Sequence, residues 1–348
     1  MNAPAEVTRL LLAQDWGELA RFFSNRQPTS ADEFNARALL ALQQGNGSIE
    51  WPSVINDMRQ ACALRPGDLL LSVNLTQALL DSKLTHEAYE TATHTSKLHP
   101  NAYPALEKLV SAAVATQRWS EAHSTLLHAQ DILEEKQSLP EWAGRLLVEL
   151  SSRWWEPVVI SGIALRIPDT SDANFLSSTF RNKEFMLHYH RFQGASDDAV
   201  EKFISVAKLS PRQSRRIDWV IQDRSGSRVG LAAIVDIDWG NERGELLVGL
   251  PGKRTQTISL KASVAVLKFA FERLQLAKMT SYVYADNPVA QSNTLHLGFE
   301  QEGLLRSHIA SQAGRIDLFV NGMTKARFAS NVLLTKLAHR WTQQAAMG

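Results

Sequence analysis

The sequence predicts an α+β protein in which an all-α helical repeat domain precedes a mixed α/β domain. Two observations lead to this fold class. Apolar residues recur at helical spacing through residues 1–150, whereas runs rich in β-branched residues alternate with amphipathic segments after Trp154. We therefore predict a helical domain at 1–150, a mixed domain at 158–328 and a C-terminal helical tail at 329–348.

The N-terminal domain contains a pattern that repeats every 34 residues. Six positions recur, with Leu64, Pro66, Leu75, Ala78, Glu87 and Ala88 matching Leu98, Pro100, Leu109, Ala112, Glu121 and Ala122. Over residues 30–135 this pattern resembles the tetratricopeptide repeat, which stacks antiparallel helix pairs. The resemblance implies a protein partner bound through the repeats. A structural cap or a homodimerisation surface is the alternative.

Composition and charge narrow the functional class. Apolar residues make up 44% and charged residues 21% of the chain, with no apolar run of membrane-spanning length. Cys62 is the single cysteine, so we expect a cytoplasmic protein without an internal disulfide or a metal cluster. Residues 1–150 carry 12 Lys and Arg against 18 Asp and Glu, whereas the remainder carries 25 against 18. A basic second half suits an anionic small ligand, and the excess is too small to indicate nucleic-acid binding.

The second domain is predicted to begin with hairpins and to continue as strand, helix, strand, helix and hairpin. We predict strands at residues 157–167, 217–223, 228–238, 244–250 and 279–286, with a further pair around Gly314. A long amphipathic helix is predicted over residues 260–276. Between the fourth strand and this helix lies a basic loop, PGKRTQTISLKA at 251–262. This order predicts a sheet with mainly antiparallel strands.

Six segments of this domain follow one another in a characteristic order. They are FRNKEFM at 180–186, VGLAAIVDIDWGN at 229–241, GELLVGLPGKR at 244–254, FAFERLQLAKMTSYVYADN at 269–287, LHLGFEQEGLLR at 295–306 and GRIDLFVNGM at 314–323. Together they resemble the GNAT acyltransferases, particularly the RimJ/RimL-like branch and its amino-sugar N-acetyltransferases. The resemblance implies acyl transfer from acetyl-CoA, or another acyl-CoA, to a primary amine. An amino sugar nucleotide and a protein amine are both open as acceptors.

The resemblance also implies where the acyl donor binds. In the family, a bulge in the strand matching 246–250 separates it from the next strand, and the exposed backbone binds pantetheine. The following loop and helix start direct N–H groups toward the pyrophosphate. The residues implied here are Val248, Leu250, Arg254, Gln256, Thr257, Ile258, Ser259 and Asn287.

The pyrophosphate loop departs from the family pattern Arg-Gly-x-Gly-x-Gly. Arg254 is retained, but Thr255, Thr257 and Ser259 replace the three glycines. Each Cβ narrows the approach to the backbone, whereas each hydroxyl can donate to a phosphate oxygen. Ser259 is also predicted to cap the helix. Two hypotheses follow: a working variant loop, or a catalytically degenerate domain that serves as a protein-interaction scaffold.

Carboxylates near the ends of two strands are the candidates for a general base. The resemblance points first to Glu245, at the start of the strand that borders the donor. Asp236 and Asp238 end the preceding strand near the acceptor cleft, so either can serve as base or bind the acceptor. Arg181 and Asn182 lie in the segment that covers the acceptor site in the family, which implies acceptor contacts.

Three further positions carry no predicted chemistry. His188 has no carboxylate–histidine–metal spacing and is interpreted as non-catalytic. Ala290 stands where the family often has serine. Thr294 stands where many members have a tyrosine that protonates the leaving thiolate, so the resemblance provides no tyrosine acid at this position.

Overall fold

The computed structural model describes residues 3–45, 48–133, 138–189, 196–252, 256–311 and 314–346. The chain divides into two compact units, Met1–Leu150 and Ser151–Gly348. The described part of the first unit is helical, and the second unit contains a mixed sheet with helices. The predicted α+β fold class is therefore confirmed. Each described helix is too short or too polar to cross a membrane.

The first unit forms a run of helices across its described residues. They are α1 (Ala3–Leu12), α2 (Trp16–Phe23), α3 (Ala31–Gln44), α4 (Trp51–Leu64), α5 (Leu69–Asp81), α6 (Thr85–Leu98), α7 (Tyr103–Ala115), α8 (Trp119–Leu133) and α9 (Glu141–Leu150). Asp15, Ser30 and Asp68 accept backbone hydrogen bonds at the starts of α2, α3 and α5. Such caps satisfy N–H groups that have no partner within the helix.

Two consecutive helix pairs repeat with the predicted period. Helices α5 and α6 begin at Leu69 and Thr85, and α7 and α8 begin 34 residues later in each case. The matching alanines are almost fully buried, at Ala78, Ala88, Ala112 and Ala122. Their small side chains let paired helices approach closely. The unit is thus consistent with helical repeats, while its assignment to the tetratricopeptide class stays a prediction.

The second unit is built on one eight-stranded sheet. Its strands are β1 (Val158–Ile160), β2 (Ile163–Arg166), β3 (Ile217–Asp223), β4 (Arg228–Asp238), β5 (Arg243–Gly249), β6 (Lys278–Tyr284), β7 (Glu300–Ser311) and β8 (Gly314–Thr324). Their order in the sheet is β1-β2-β3-β4-β5-β6-β8-β7. Strands β5 and β6 run parallel, and the other neighbouring strands are antiparallel.

The helices of the second unit lie between and after these strands. They are α10 (Ala173–Arg181), α11 (Lys183–Tyr189), α12 (Asp197–Ala207), α13 (Pro211–Ser214), α14 (Gln256–Lys268), α15 (Pro288–His296), α16 (Lys325–Ser330) and α17 (Val332–Ala346). A short 3₁₀ helix, Thr170–Asp172, precedes α10, and a π-helical turn, Phe269–Arg273, extends α14.

Two elements differ from the sequence-based prediction. The strand predicted at 157–167 is a hairpin of β1 and β2, because Gly162 turns the chain with a φ of 81°. The helix predicted at 260–276 begins earlier, at Gln256, and becomes π-helical before its end. Ser259 therefore lies inside α14, and its predicted role as N-cap is wrong.

Helices cover both faces of the sheet. Successive side chains of a strand point to opposite faces, and β3 illustrates this alternation. Trp219 packs edge-on against Phe269, with ring centroids 5.3 Å apart. The next residue, Val220, belongs to the buried cluster of α10 and α12, which includes Leu176 and Phe203. The central strands are thereby fixed from both sides.

Candidate active site

Strands β5 and β6 pair at their beginnings and then separate. Backbone pairing joins residues 243–245 to residues 278–280 and ends at Glu245 and Thr280. Beyond that point β5 remains paired with β4 as far as Gly249. Within this described part of the sheet, the backbone of β5 therefore has no strand partner on its β6 side. Unpaired N–H and C=O groups at such a gap can bind a peptide-like ligand.

The irregularity that accompanies this fork lies in β4. Val235 pairs with Glu245 and Asp238 pairs with Arg243, so two residues of β4 oppose one residue of β5. This is a β-bulge, with Asp236 in the left-handed region at a φ of 49°. The family resemblance implies a bulge in β5 itself, and this prediction is wrong because the bulge lies in β4. The implied separation of β5 from β6 is present.

A cavity of about 600 Å³ lies beside the closed end of the fork. Polar side chains from several elements line it, among them Asp236, Glu245, Arg215, Arg216, Tyr282 and His308. Glu245 is the last paired residue of β5, so its carboxylate enters the cavity where the two strands part. We call this space the acceptor cavity.

A second cavity, of about 890 Å³, follows the separated strands. Residues 246–248 of β5 and 281–284 of β6 border it, together with the first turn of α14 and the helix α15. His188, Tyr189, Leu247, Tyr282 and Tyr284 line both cavities, so the two spaces adjoin. We call the second space the donor cavity.

The carboxyl group of Glu245 is strongly perturbed. Burial away from water raises its pKa, and the negative charge of Asp236 raises it further, to about 7. A carboxylic acid with this pKa exchanges its proton near neutral pH, whereas an ordinary glutamate is fully ionised there. The geometry thus provides a proton acceptor in the acceptor cavity, two residues before Leu247, which lines both cavities.

Asp238 occupies a different environment from Asp236, although only one residue separates them. Its carboxylate accepts hydrogen bonds from the backbone N–H groups of Gly240 and Asn241, both at 3.1 Å, and from the Asn241 side chain. The bonds from the Asn241 side chain and then from its backbone N–H lower the pKa of Asp238. Asp238 stabilises the β4–β5 turn and is not among the described residues that line the acceptor cavity.

Four of the implied donor-site residues line the donor cavity, namely Val248, Thr257, Ser259 and Asn287. The Asn287 side chain also caps α15 by accepting the N–H of Ala290 at 3.0 Å. Leu250 and Ile258 are not among the described lining residues. Arg254 lies outside the described residues, as does the side chain of Gln256.

The two predicted acceptor residues near α10 do not reach the acceptor cavity. Arg181 is exposed at the end of α10. The Asn182 side chain accepts the backbone N–H of Phe185 at 3.1 Å and thereby stabilises the start of α11. Neither is among the described residues lining the cavity, so Asp236 is the predicted acceptor residue that the structure brings there.

Several residues at the site have no role in the sequence-based prediction, which interprets His188 as non-catalytic. His188 and Tyr189, at the end of α11, line both cavities, and His188 Nε2 lies 3.4 Å from Oδ1 of Asp286. Burial raises the pKa of the Tyr189 phenol, which keeps it protonated. Tyr282 and Tyr284 lie two residues apart in β6, and strand alternation could have placed them on one face.

Gly249 sets the position of Tyr189. A Cβ at this position would lie 2.6 Å from the Phe185 ring and 2.7 Å from the Tyr189 ring. We expect Gly249→Ala to lower the free energy of unfolding by about 1–3 kcal/mol, because such overpacking displaces α11. Urea denaturation measures this, with Gly240→Ala as control, whose Cβ meets only Asp238 Oδ1 at 3.5 Å. Equal loss in both variants would contradict the prediction.

Comparison with known proteins identifies the domain that supplies most of the residues lining the two cavities. Residues 163–300 match the sequence model of a family described as an acetyltransferase (GNAT) domain. The second unit carries a GNAT acetyltransferase domain. This confirms the family and enzyme class implied by the six ordered segments. The match runs from the start of β2 to the first residue of β7, so the bulge, the fork and α15 all belong to it.

Solved structures resemble about half of the chain. Spermidine N-acetyltransferase from Vibrio cholerae, in complex with CoA and spermine, is 18% identical, with a TM-score of 0.44, over 49% of this chain and 99% of that one. A dodecameric form of the same enzyme in an intermediate state is 18% identical, with a TM-score of 0.43, over 49% and 98%. A search of curated proteins found no match.

Proposed function

We propose that the GNAT domain transfers an acyl group from acyl-CoA, acetyl-CoA first of all, to a primary amine, with Glu245 as general base. The observation that carries this proposal is the carboxyl of Glu245, which has a pKa of about 7 and faces the acceptor cavity at the fork. A general base works best when its pKa is close to the working pH.

The donor cavity suits an acyl-CoA in shape and in chemistry. Unpaired backbone along residues 246–248 can bind a peptide-like pantetheine arm. The first turn of α14 offers N–H groups and the positive end of the helix dipole to phosphates, and the side chains of Thr257 and Ser259 line the cavity there. Their hydroxyls can replace part of the contact that glycine permits in the family loop. The donor itself supplies an activated thioester.

The acceptor step requires a neutral amine. Glu245 accepts the proton that an ammonium acceptor must lose, and its partly buried position keeps the carboxylate less solvated than an exposed one. Asp236 adds negative charge beside it, which attracts the ammonium group and makes Glu245 more basic. Tyr189, Tyr282 and Tyr284 line both cavities. Burial raises the pKa of the Tyr189 phenol, so this side chain stays protonated and can supply a proton to a leaving thiolate.

An acetyl-transfer assay tests this function. The full-length protein is incubated with acetyl-CoA and a panel of amines, namely amino sugars, nucleotide-linked amino sugars, peptides and polyamines. Release of the CoA thiol is then measured. We expect release that depends on one class of amine. Absence of acetyl-CoA binding and of transfer to every class would instead favour the catalytically degenerate scaffold.

Asp236→Asn is expected to shift the acidic limb of the pH profile of kcat/KM to lower pH. Removing the negative charge that raises the Glu245 pKa lets Glu245 lose its proton earlier as pH rises. Asparagine tolerates the left-handed backbone of this position, so the bulge is retained. The measurement is kcat/KM between pH 5 and 9. An acidic limb that stays at the same pH, or that moves to higher pH, would contradict the assigned role of Asp236.

We propose that the helical unit binds a polypeptide. This polypeptide is either the protein acceptor itself or a partner that recruits the enzyme. The repeat of helix pairs every 34 residues supports this, because stacked repeats present extended binding surfaces. Dimerisation through the same unit is the alternative. Analytical ultracentrifugation of the full-length protein separates the two, because a dimer has the mass of two chains without any partner.

A further inference from the structure

We propose that the amine acceptor also carries an anionic group, a phosphate or a carboxylate, and that Arg215 binds this group in the acceptor cavity. The inference rests on the proposed function for the amine end of the acceptor. Its basis is the arrangement of charged side chains around one cavity, which holds carboxylates and guanidinium groups together.

Arg215 is held in a strained conformation by its neighbours. Its φ of 55° lies in the left-handed region, directly after the short helix α13. Its backbone carbonyl accepts the N–H of Ile237 at 2.9 Å, and its Nε donates to the Ile237 carbonyl at 3.1 Å. Ile237 belongs to the bulge, next to Asp236, which is itself left-handed.

Arg215 and Asp236 therefore both have unfavourable backbone angles and both line the acceptor cavity. The first is cationic and the second is anionic. Non-glycine residues adopt this left-handed backbone at a cost, and such residues are often found at functional sites. The hydrogen bonds between Arg215 and Ile237 hold both segments in this arrangement. They use one N–H of the guanidinium, and within the described part of the chain both terminal nitrogens remain available to another acceptor.

Arg216, the next residue, differs in this respect. Its Nε and Nη2 donate to the two carboxylate oxygens of Asp218, both at 2.6 Å, and Asp218 is buried. That bidentate pair fixes Arg216 in the cavity wall. Arg215, in contrast, forms no ion pair with any carboxylate in the described ranges of the chain. Of the two guanidinium groups, Arg215 is the one that can bind an anion as a bidentate fork.

The chemistry of the cavity thus has two parts. Glu245 and Asp236 favour the amine, and Arg215 favours a negative group on the same molecule. An acceptor with a second ammonium group would meet the Arg215 charge and be repelled. An amine with a phosphate or carboxylate satisfies both, so a dipolar acceptor is favoured over a polyamine.

Two matched pairs of small ligands test the proposal by calorimetric titration of the full-length protein. Glucosamine 6-phosphate and glucosamine differ only in the phosphate. The second pair, 4-aminobutyrate and 1,4-diaminobutane, replaces a carboxylate with an ammonium group. We expect the anionic member of at least one pair to bind at least 10-fold more tightly. The pair that shows this preference distinguishes a phosphate from a carboxylate.

Three variants assign the preference to Arg215. Arg215→Gln is expected to remove most of it, and Arg215→Lys to retain part of it. Arg212→Gln removes an equal charge three residues earlier, in α13. Arg212 stacks on Trp239 and is not among the described lining residues, so this variant should leave the preference intact. Equal binding within both pairs, no binding of either anion, or equal losses in Arg215→Gln and Arg212→Gln would overturn the proposal.

Binding and catalysis fail separately in this design. Binding that depends on Arg215 without acetyl transfer supports the anion site and contradicts the proposed function. Acetyl transfer to 1,4-diaminobutane with kcat/KM unchanged in Arg215→Gln supports the proposed function and overturns the anion site.

Discussion

Glu245→Gln is expected to lower kcat/KM by about 10²–10⁴-fold, the range typical for loss of a general base. Glutamine has nearly the same shape but cannot accept a proton from the acceptor ammonium. The acidic limb of the remaining activity, which in the native protein reflects the pKa of about 7, should disappear.

The same substitution should stabilise the fold at alkaline pH. The pKa of Glu245 is about 7 in the folded protein against a model value of 4.5, so the unfolded chain releases this proton first as pH rises. Stability of the native protein is therefore lost between about pH 4.5 and 7, and the loss persists at higher pH. Glu245→Gln lacks this loss. The difference in unfolding free energy between this variant and the native protein should therefore be more favourable to the variant at pH 8 than at pH 4.5, by about 1–3 kcal/mol.

Steady-state kinetics and denaturant unfolding at both pH values measure these effects. Asp238→Asn is the matched control, because Asp238 also ends β4 but stabilises a turn through Gly240 and Asn241. It should keep kcat/KM within about threefold of the native value. A Glu245→Gln protein with near-native kcat/KM would exclude Glu245 as the base.

Ala290→Trp is expected to weaken acetyl-CoA binding at least 100-fold, or by about 2.7 kcal/mol. Ala290 lies in the first turn of α15 and lines the donor cavity. An indole there would occupy the space beside the separated strand β5 that we assign to the donor. The unfolding free energy should change little, because the ring enters an existing cavity.

Leu295→Trp provides the control for this substitution. Leu295 is an exposed residue of the same helix and is not among the described residues lining the donor cavity. Titration calorimetry with acetyl-CoA should give a near-native dissociation constant for this variant. Unchanged affinity in Ala290→Trp would place the donor elsewhere.

The sequence predicts the order of elements well because that order depends on local patterns. Strand alternation and helical spacing locate β3 and β4 at their observed bounds. The six ordered segments lead to the acetyltransferase family. Hairpin and helix limits are less predictable, as Gly162 and Gln256 show, because a positive φ or an added helical turn changes them by several residues.

The polar part of the site is less accessible to sequence reasoning. Asp236 and Asp238 would share one face of a regular strand, so their spacing alone cannot separate a cavity residue from a turn residue. The bulge in β4 makes that separation. Arg215 reaches the cavity through a left-handed residue and bonds to Ile237, 22 positions away, which no local pattern reveals.

The central claim is that the GNAT domain binds an acyl-CoA along the fork between β5 and β6, despite a loop without the family's glycines. Calorimetric titration of the full-length protein with acetyl-CoA tests it most directly, with Ala290→Trp titrated in parallel. We predict saturable binding of one acetyl-CoA per chain that is lost in Ala290→Trp and retained in Leu295→Trp. Absence of binding by the native protein at near-millimolar acetyl-CoA would contradict the claim and favour a scaffold that no longer catalyses acyl transfer.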